Sequence, residues 1–291
     1  MRKNQINLVI KLLDLVKKYP KILLPILGVL GVFYSFEAIV LRPNSSYMGV
    51  PKTTQIGLNT FNRTLRNSDF MVGYSDIRGN PLWVTYLLTK LPEGKKSYKR
   101  PATFFKDWRN ITQLTTDDYT KSGYDRGHMA PNSAISKLYG KSSQIDTFFM
   151  TNITPQRPNL NRKIWRRLEA VEFKEFTKIF DKVWVITGPI FDDKTERLSS
   201  SDYIEIPDEF YKVYIGLKGK EEPKALAFIM PQTVRGDEPL TRFVTSIDEV
   251  EKKTNLDFFA GLDDNIENKI EKSTEIESWN LKAFSRSRSR S

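Results

Sequence analysis

The sequence contains no cysteine and a single histidine, His128, in 291 residues. The absence of cysteine excludes disulfides and thiolate zinc sites, and one histidine cannot form a histidine metal cluster within one chain. A bound metal would therefore have only oxygen ligands, which favours Mg²⁺, Mn²⁺ or Ca²⁺ over Zn²⁺.

Net positive charge is also small in the body of the chain, although the formal net charge of the whole chain is +11. Residues 1–21 carry six basic side chains and one acidic one, and the terminal SRSRSRS adds three arginines, so eight of the eleven net charges lie at the two ends. Any polyanion site in the body must therefore be a local concentration of Arg and Lys. We expect residues 276–291 to be a disordered basic tail, because the repeat has no side chains that build a core.

One long hydrophobic run is present, at residues 22–41, and Glu37 is its only charge. A helix of this length spans about 30 Å of hydrocarbon. We expect a transmembrane anchor behind a basic cytoplasmic leader at 1–21, with a cleaved signal peptide or a buried core helix as alternatives. The positive-inside rule places the body in the periplasm or outside the cell. Secretion after signal cleavage and the mitochondrial intermembrane space are the other compartments considered.

The body, expected at 42–275, shows the pattern of an α+β domain. Aromatic and β-branched residues predict paired strands at 70–74 and 82–88, and three further strands in KVWVITGPIF, FYKVYIGLKG and KALAFIMPQ. Helices are predicted at 161–180 and in SIDEVEKKTNLDFF, which opens with a capping-box spacing. Strands before and after a central helix favour a mostly antiparallel central sheet flanked by helices.

The stretch YDRGHMAPNSAI contains the one histidine, beside an acid and a cation. His128 has an unperturbed pKa near 6.5, which suits proton transfer at neutral pH. A lone histidine is nevertheless more often structural than catalytic. Downstream, Asn161, Trp165 and Glu169 share one face of the predicted helix, a pattern that a solvated helix also shows.

Taken together, SGYDRGHMAP, TNITPQ, LN and W..LE resemble the DNA/RNA non-specific endonuclease family, to which bacterial sugar-non-specific nucleases and endonuclease G belong. The spacings from Asn152 to Asn161 and from Asn161 to Glu169 match the family pattern, and the resemblance covers roughly residues 45–265. It implies a ββα-metal (His-Me finger) nuclease that hydrolyses DNA and RNA. The implied cofactor is Mg²⁺, with Mn²⁺ as the alternative.

The resemblance also implies a role for each motif residue. His128 would be the general base, Asn161 the metal ligand and Arg126 a phosphate ligand. Glu169 lies about 12 Å along a straight helix from Asn161, so we expect it outside the first ligand shell unless the helix is distorted. Asn152 would orient the site or contact substrate, with a loop cap as the alternative.

Two family positions depart from the pattern. Phe173 stands where the family has an arginine one helical turn after the glutamate, and the candidate replacements are Arg166, Arg167 and Lys174. For the family's upstream arginine, Arg100 is the substrate-binding candidate and Arg109 its competitor. Phe173 also supports an alternative function, a catalytically weak membrane-anchored nucleic-acid receptor; a phosphodiesterase for another polyanion or small ester is the third possibility.

Overall fold

The structure, a computed structural model, describes residues 11, 14–42, 45–95 and 98–286. The chain divides into two compact units, Met1–Asn44 and Ser45–Ser291. In the first unit, helix α1 (Pro20–Phe36) continues into a π-helical turn at Glu37–Leu41. Among the described residues this is the one helix long and apolar enough to cross a membrane, with a mean hydropathy of 2.0. It buries none of its side chains, unlike a core helix.

The second unit combines short and long strands with helices. Its strands are β1 (Lys52–Thr53), β2 (Arg63–Arg66), β3 (Phe70–Ser75), β4 (Asn80–Thr89), β5 (Asp125–His128), β6 (Ile153–Gln156), β7 (Lys182–Ile190), β8 (Glu209–Leu217), β9 (Lys224–Pro231), β10 (Val244–Thr245) and β11 (Leu256–Asp257). Its helices are α2 (Asn132–Tyr139), α3 (Lys141–Asp146), α4 (160–179), α5 (Ile247–Thr254), α6 (Asp264–Glu271) and α7 (Leu281–Phe284). Short 3-10 turns occupy Thr116–Tyr119, Met150–Asn152 and Leu240–Phe243.

Seven strands form one antiparallel sheet in the order β10-β9-β8-β7-β4-β3-β2. The predicted strand pair is β3 and β4, and the other three predicted strands are β7, β8 and β9. Strand β4 pairs with β7, which joins the N-terminal hairpin to the later strands. The α+β fold with a central antiparallel sheet is confirmed.

Helices cover both faces of this sheet. On β8, Phe210 and Tyr214 belong to the core that contains Trp165 of α4, whereas Tyr211 and Val213 belong to the core that contains residues of α5 and α6. This division follows from the alternation of side chains along a strand. Helix α4 therefore lies on one face, and α5 and α6 lie on the other.

A fully buried polar cluster joins α4 to the sheet. Glu172 Oε1 accepts a hydrogen bond from the Tyr86 hydroxyl at 2.9 Å, and Oε2 accepts from Lys212 Nζ at 3.0 Å and from the Tyr214 hydroxyl at 2.5 Å. The ammonium of Lys212 also lies 4.6 Å from the centroid of the Trp165 ring. Removing one partner of such a pair typically costs about 3–5 kcal/mol, because a buried charge loses its compensation. The cluster therefore fixes α4 against β4 and β8.

The predicted late helix is shorter than expected. The side chain of Ser246 accepts from the Glu249 amide at 3.2 Å, as the predicted cap requires. The helix ends at Thr254, because Asn255 has a φ of 54° and β11 follows directly. A left-handed residue stops a helix, and this one is an asparagine, which tolerates that conformation.

The expected boundary of the disordered tail is wrong in its first part. Trp279 and Leu281 have no exposed surface and belong to the core on the α4 side of the sheet. The indole nitrogen of Trp279 donates to the Ala225 carbonyl at 3.1 Å, which ties this segment to β9. Large apolar side chains keep residues 276–286 folded, and residues 287–291 lie outside the described residues.

Candidate active site

His128 lies at the end of β5, which forms an antiparallel two-stranded ribbon with β6. The register places Asp125 opposite Gln156, and His128 opposite Ile153. Gly127 is required here, because a Cβ atom at this position would lie 2.1 Å from Gln156 Oε1. The strand alternation puts Arg126 and His128 on the same side of the ribbon.

Two aromatic rings hold the imidazole of His128. The ring centroids of Phe104 and Phe148 lie 5.4 Å and 5.0 Å from that of His128. The guanidinium carbon of Arg126 lies 5.2 Å from the centroid of Phe104, and that of Arg100 lies 5.1 Å from the centroid of Phe148. The sequence motifs did not indicate that the two phenylalanines contact His128, because both are distant from it along the chain.

This environment keeps His128 neutral. Burial, with a smaller contribution from the charge of Arg100, lowers the pKa of His128 to about 3. Its Nε2 atom is buried and has no hydrogen-bond partner within the described part of the chain. An imidazole that is neutral and unpartnered at one nitrogen is in the form that accepts a proton.

Asn161 is oriented by a neighbour to which the sequence assigned no role. Its Nδ2 donates to Asp125 Oδ2 at 3.0 Å, and Arg162 Nε donates to the same oxygen at 2.7 Å. A carboxylate accepts from the amide NH₂ group, so the amide oxygen of Asn161 is turned away from Asp125. Burial opposes the change, but the hydrogen bonds from Arg162 and Asn161 lower the pKa of Asp125 overall and keep it ionised. The free oxygen of such an amide suits a hard cation.

Helix α4 is distorted where the site residues lie. A π-helical turn at Leu160–Trp165 precedes an α-helical part at Arg166–Val171. Such turns are frequent at functional sites. Asn161 and Glu169 line the same cavity.

Glu169 has a perturbed acidity in this position. Burial raises the pKa of Glu169 to about 7, Lys212 opposes the shift and Glu172 adds to it. The carboxyl group can therefore hold or release a proton near neutral pH.

One cavity of about 470 Å³ brings these side chains together. Its lining includes Arg100, Arg126, His128, Asn161, Arg162, Arg166 and Glu169. Four arginines and one carboxylate make the cavity positive, although the body as a whole carries little net charge. Guanidinium groups match the geometry of phosphate oxygens, so the cavity can bind a phosphodiester.

Asn152 does not belong to this cavity, in contrast to the substrate-binding role considered from the sequence. It is fully buried; its Oδ1 accepts from the Ala130 amide, and its Nδ2 donates to the carbonyls of Ala130 and Thr147. The side chain caps the loop that follows His128 and has no exposed surface for a substrate. Burial of this asparagine depends on contacts that sequence spacing does not reveal.

Arg100 and Arg109, the two candidates for the upstream arginine, have different surroundings. Arg109 donates to Asp107, to Asn67 Oδ1 and to the Arg66 carbonyl, and it lies outside the cavity that Arg100 lines. Of the two candidates, Arg100 is thus the one that lines the cavity.

Phe173, which stands where the family has an arginine, lies in the hydrophobic core. Phe173 is 8% exposed and packs in the hydrophobic cluster around α4. Of the three candidate replacements only Arg166 lines the cavity, whereas Arg167 donates to the Glu238 carbonyl. Arg166 thus places a cation on this side of the cavity about two helical turns before Phe173.

Known proteins resemble the chain in sequence. Mitochondrial nuclease EXOG of Xenopus laevis is 31% identical over 207 residues, which cover 66% of this chain and 57% of that protein. Mitochondrial endonuclease G of Homo sapiens is 30% identical over 156 residues, covering 50% of this chain and 52% of that protein. Nuclease C1 of Cunninghamella echinulata var. echinulata is 35% identical over 169 residues, covering 54% and 65%. The chain thus spans a little more than half the length of these relatives.

Structure and family comparisons agree with the sequence relatives. The crystal structure of an EndoG/EndoGI complex matches with a TM-score of 0.64 and 26% identity, over 74% of this chain and 90% of that chain. The family model for DNA/RNA non-specific endonucleases matches residues 49–265. Since this match covers about three quarters of the sequence and includes every residue of the cavity, the chain belongs to the DNA/RNA non-specific endonuclease family.

Proposed function

We propose that this protein is a Mg²⁺-dependent endonuclease that hydrolyses DNA and RNA without sequence specificity, with Mn²⁺ as the alternative ion. The observation that supports this most strongly is the positive cavity in which a neutral His128 and an oriented Asn161 lie together. Family membership and the names of the relatives, which are all nucleases, point in the same direction.

His128 is proposed as the general base that takes a proton from the attacking water. Phe104 and Phe148 fix the ring, and the neutral imidazole presents Nε2 for proton transfer. The phosphodiester's negative charge would offset the charge of Arg100, the smaller of the two causes that lower the pKa of His128, and would favour the imidazolium that forms when the water loses its proton. Such a base typically contributes about 10² to 10⁴-fold.

Asn161 is proposed as the protein ligand of the metal. The donor set fits a hard cation, because Asp125 holds the amide so that its oxygen faces away from the carboxylate. When bound, Mg²⁺ supplies positive charge that stabilises the extra negative charge at phosphorus and at the leaving oxygen. Glu169 lines the same cavity and is proposed to orient water there.

The arginines are proposed to hold the sugar-phosphate backbone. Arg126 and Arg100 lie beside the rings that pack against His128, and Arg166 offers a cation from α4. Contacts to phosphate carry no direct sequence information, which agrees with a nuclease that does not select its bases.

Alanine at His128 or at Asn161 is expected to slow cleavage of plasmid DNA and of RNA by at least about 10²-fold, because each variant loses the base or the metal's protein ligand. Gel assays with Mg²⁺, with Mn²⁺ and with EDTA measure this. The matched control is Asn59→Ala, which removes an exposed asparagine outside the cavity.

Unchanged cleavage by His128→Ala would contradict the mechanism. Binding of nucleic acid without cleavage by the wild-type chain, across several divalent ions, would instead support the receptor function, for which the buried Phe173 is the one specific observation. Hydrolysis limited to other phosphate diesters would support the third function.

The variant Asp125→Ala tests the orientation of Asn161. Loss of the carboxylate should raise the Mg²⁺ concentration that is needed for cleavage by about 10 to 100-fold, since the amide of Asn161 is no longer held. The measurement is the Mg²⁺ concentration that gives half-maximal cleavage. Lys163→Ala is the control, because Lys163 is an exposed cation on the same helix that does not line the cavity, and its removal leaves the bond between Asp125 and Asn161 in place. Equal losses in both variants would show that Asp125 does not act through Asn161.

The lowered pKa of His128 can be measured directly, because the chain has one histidine and hence one imidazole signal set in an NMR spectrum. In the metal-free native chain we expect the ring to stay neutral from pH 8 down to about pH 5, since burial and Arg100 lower its pKa. The same histidine in denaturant should titrate near pH 6.5. A native midpoint near 6.5 would show that the ring is solvated.

The helix Pro20–Leu41 is proposed to anchor the chain in a membrane, with the N-terminus in the cytoplasm and the nuclease body in the periplasm or outside the cell. Its length, hydropathy and preceding basic residues support this arrangement. A cleaved signal is the alternative, and relatives named as mitochondrial support the intermembrane space as the alternative compartment.

Protease added to spheroplasts or intact cells should digest the body and leave a membrane-embedded N-terminal fragment. A body that is fully protected from external protease would contradict the proposed orientation. The mass of the mature chain separates an anchor from a cleaved signal, because only the anchored chain keeps residues 22–41.

A further inference from the structure

Carboxylates from two helices meet on the sheet face opposite α4. Asp248 and Glu251 lie three residues apart on α5, so their side chains project from the same side of that helix. Glu271 is the last residue of α6. One carboxylate oxygen from each of the three side chains lies within 4.8 Å of the other two.

The Glu271 side chain lacks the partner that a buried carboxylate requires. Only 9% of the residue is exposed, and its Oε1 is buried without a hydrogen-bond partner among the described residues. In the same cluster, Glu251 Oε1 accepts from the Phe258 amide at 2.7 Å, which holds the carboxylate in place. An unsatisfied buried carboxylate oxygen is costly, so this geometry calls for a ligand.

The carboxyl groups of Asp248, Glu251 and Glu271 lie close enough to repel one another when they are ionised. Within the described part of the chain, no lysine or arginine forms an ion pair with Asp248, Glu251 or Glu271. A divalent cation would remove this repulsion and satisfy the free oxygen of Glu271.

We propose that Asp248, Glu251 and Glu271 form a second metal site, selective for Ca²⁺, that is separate from the nuclease cavity and joins α5 to α6. The three ligand atoms lie within 4.8 Å of one another, close enough to share one ion. A set of three protein carboxylates suits Ca²⁺, whereas Mg²⁺ keeps several waters and is usually held by one or two carboxylates. Waters complete the coordination of the ion, since Ca²⁺ takes six to eight oxygens.

The test uses the full chain in detergent, carrying Asn161→Ala so that the proposed nuclease metal ligand is absent. Equilibrium dialysis with radioactive Ca²⁺ should give one ion per chain, with weaker binding of Mg²⁺. Adding Glu271→Gln should weaken Ca²⁺ binding by at least about 10-fold, because a charged ligand is lost. The matched control is Glu249→Gln on the same helix, which should change the affinity by less than about 2-fold, since Glu249 is outside the cluster.

Thermal unfolding gives a second readout that does not depend on nuclease activity. Ca²⁺ should raise the Tm of the Asn161→Ala chain and of its Glu249→Gln derivative, but not that of the Glu271→Gln derivative. Asp248→Asn provides a second variant should Glu271→Gln fail to fold, as judged by circular dichroism. The proposal is overturned if the Asn161→Ala chain binds no Ca²⁺ stoichiometrically, or if loss of either carboxylate leaves the affinity unchanged. These outcomes are independent of whether the chain cleaves nucleic acid.

Discussion

The fully buried carboxylate of Glu172 is the constraint on which the arrangement of α4 depends. Its two oxygens are satisfied by Lys212, Tyr86 and Tyr214, which come from two strands of the sheet. A buried ion pair is weak evidence for stability, but it permits few alternative positions of the helix. The same helix carries Asn161 and Glu169, so the pair that fixes α4 also fixes the site. Lys212 further opposes the rise in the pKa of Glu169, which links the core to the chemistry of the cavity.

The two proposed central residues are held by different physical means. His128 is packed between aromatic rings that remove water and keep the imidazole neutral. Asn161 is held by a hydrogen bond to an ionised carboxylate, which selects one of its two amide orientations. The aromatic packing keeps the imidazole of His128 unprotonated, and the hydrogen bond to Asp125 directs the amide oxygen of Asn161. Asp125 and His128 belong to the same short strand, so β5 supplies both the imidazole and the carboxylate that holds Asn161.

Charge is distributed unevenly over the two faces of the sheet. Four arginines line the cavity on the α4 side, and a group of carboxylates lies between α5 and α6 on the other. The body's small net charge is a sum over both faces, so it predicts little about binding at either one. A local concentration of guanidinium groups provides the attraction for phosphate, while the acidic face suits a cation.

The sequence by itself determined the strands, the central helix and the family, because these depend on local alternation, apolar spacing and motifs that lie close together along the chain. It also indicated His128, Asn161 and Glu169 as members of one site. Tertiary structure decided that Arg100 and Arg166 line the cavity and that Arg109 does not. It also decided the burial of Asn152 and the hydrogen bond between Asn161 and Asp125. Each of these depends on contacts between segments far apart in the sequence, and residue spacing carries no information about which distant groups meet. The same holds for Trp279, whose burial against β9 keeps the start of the expected tail folded.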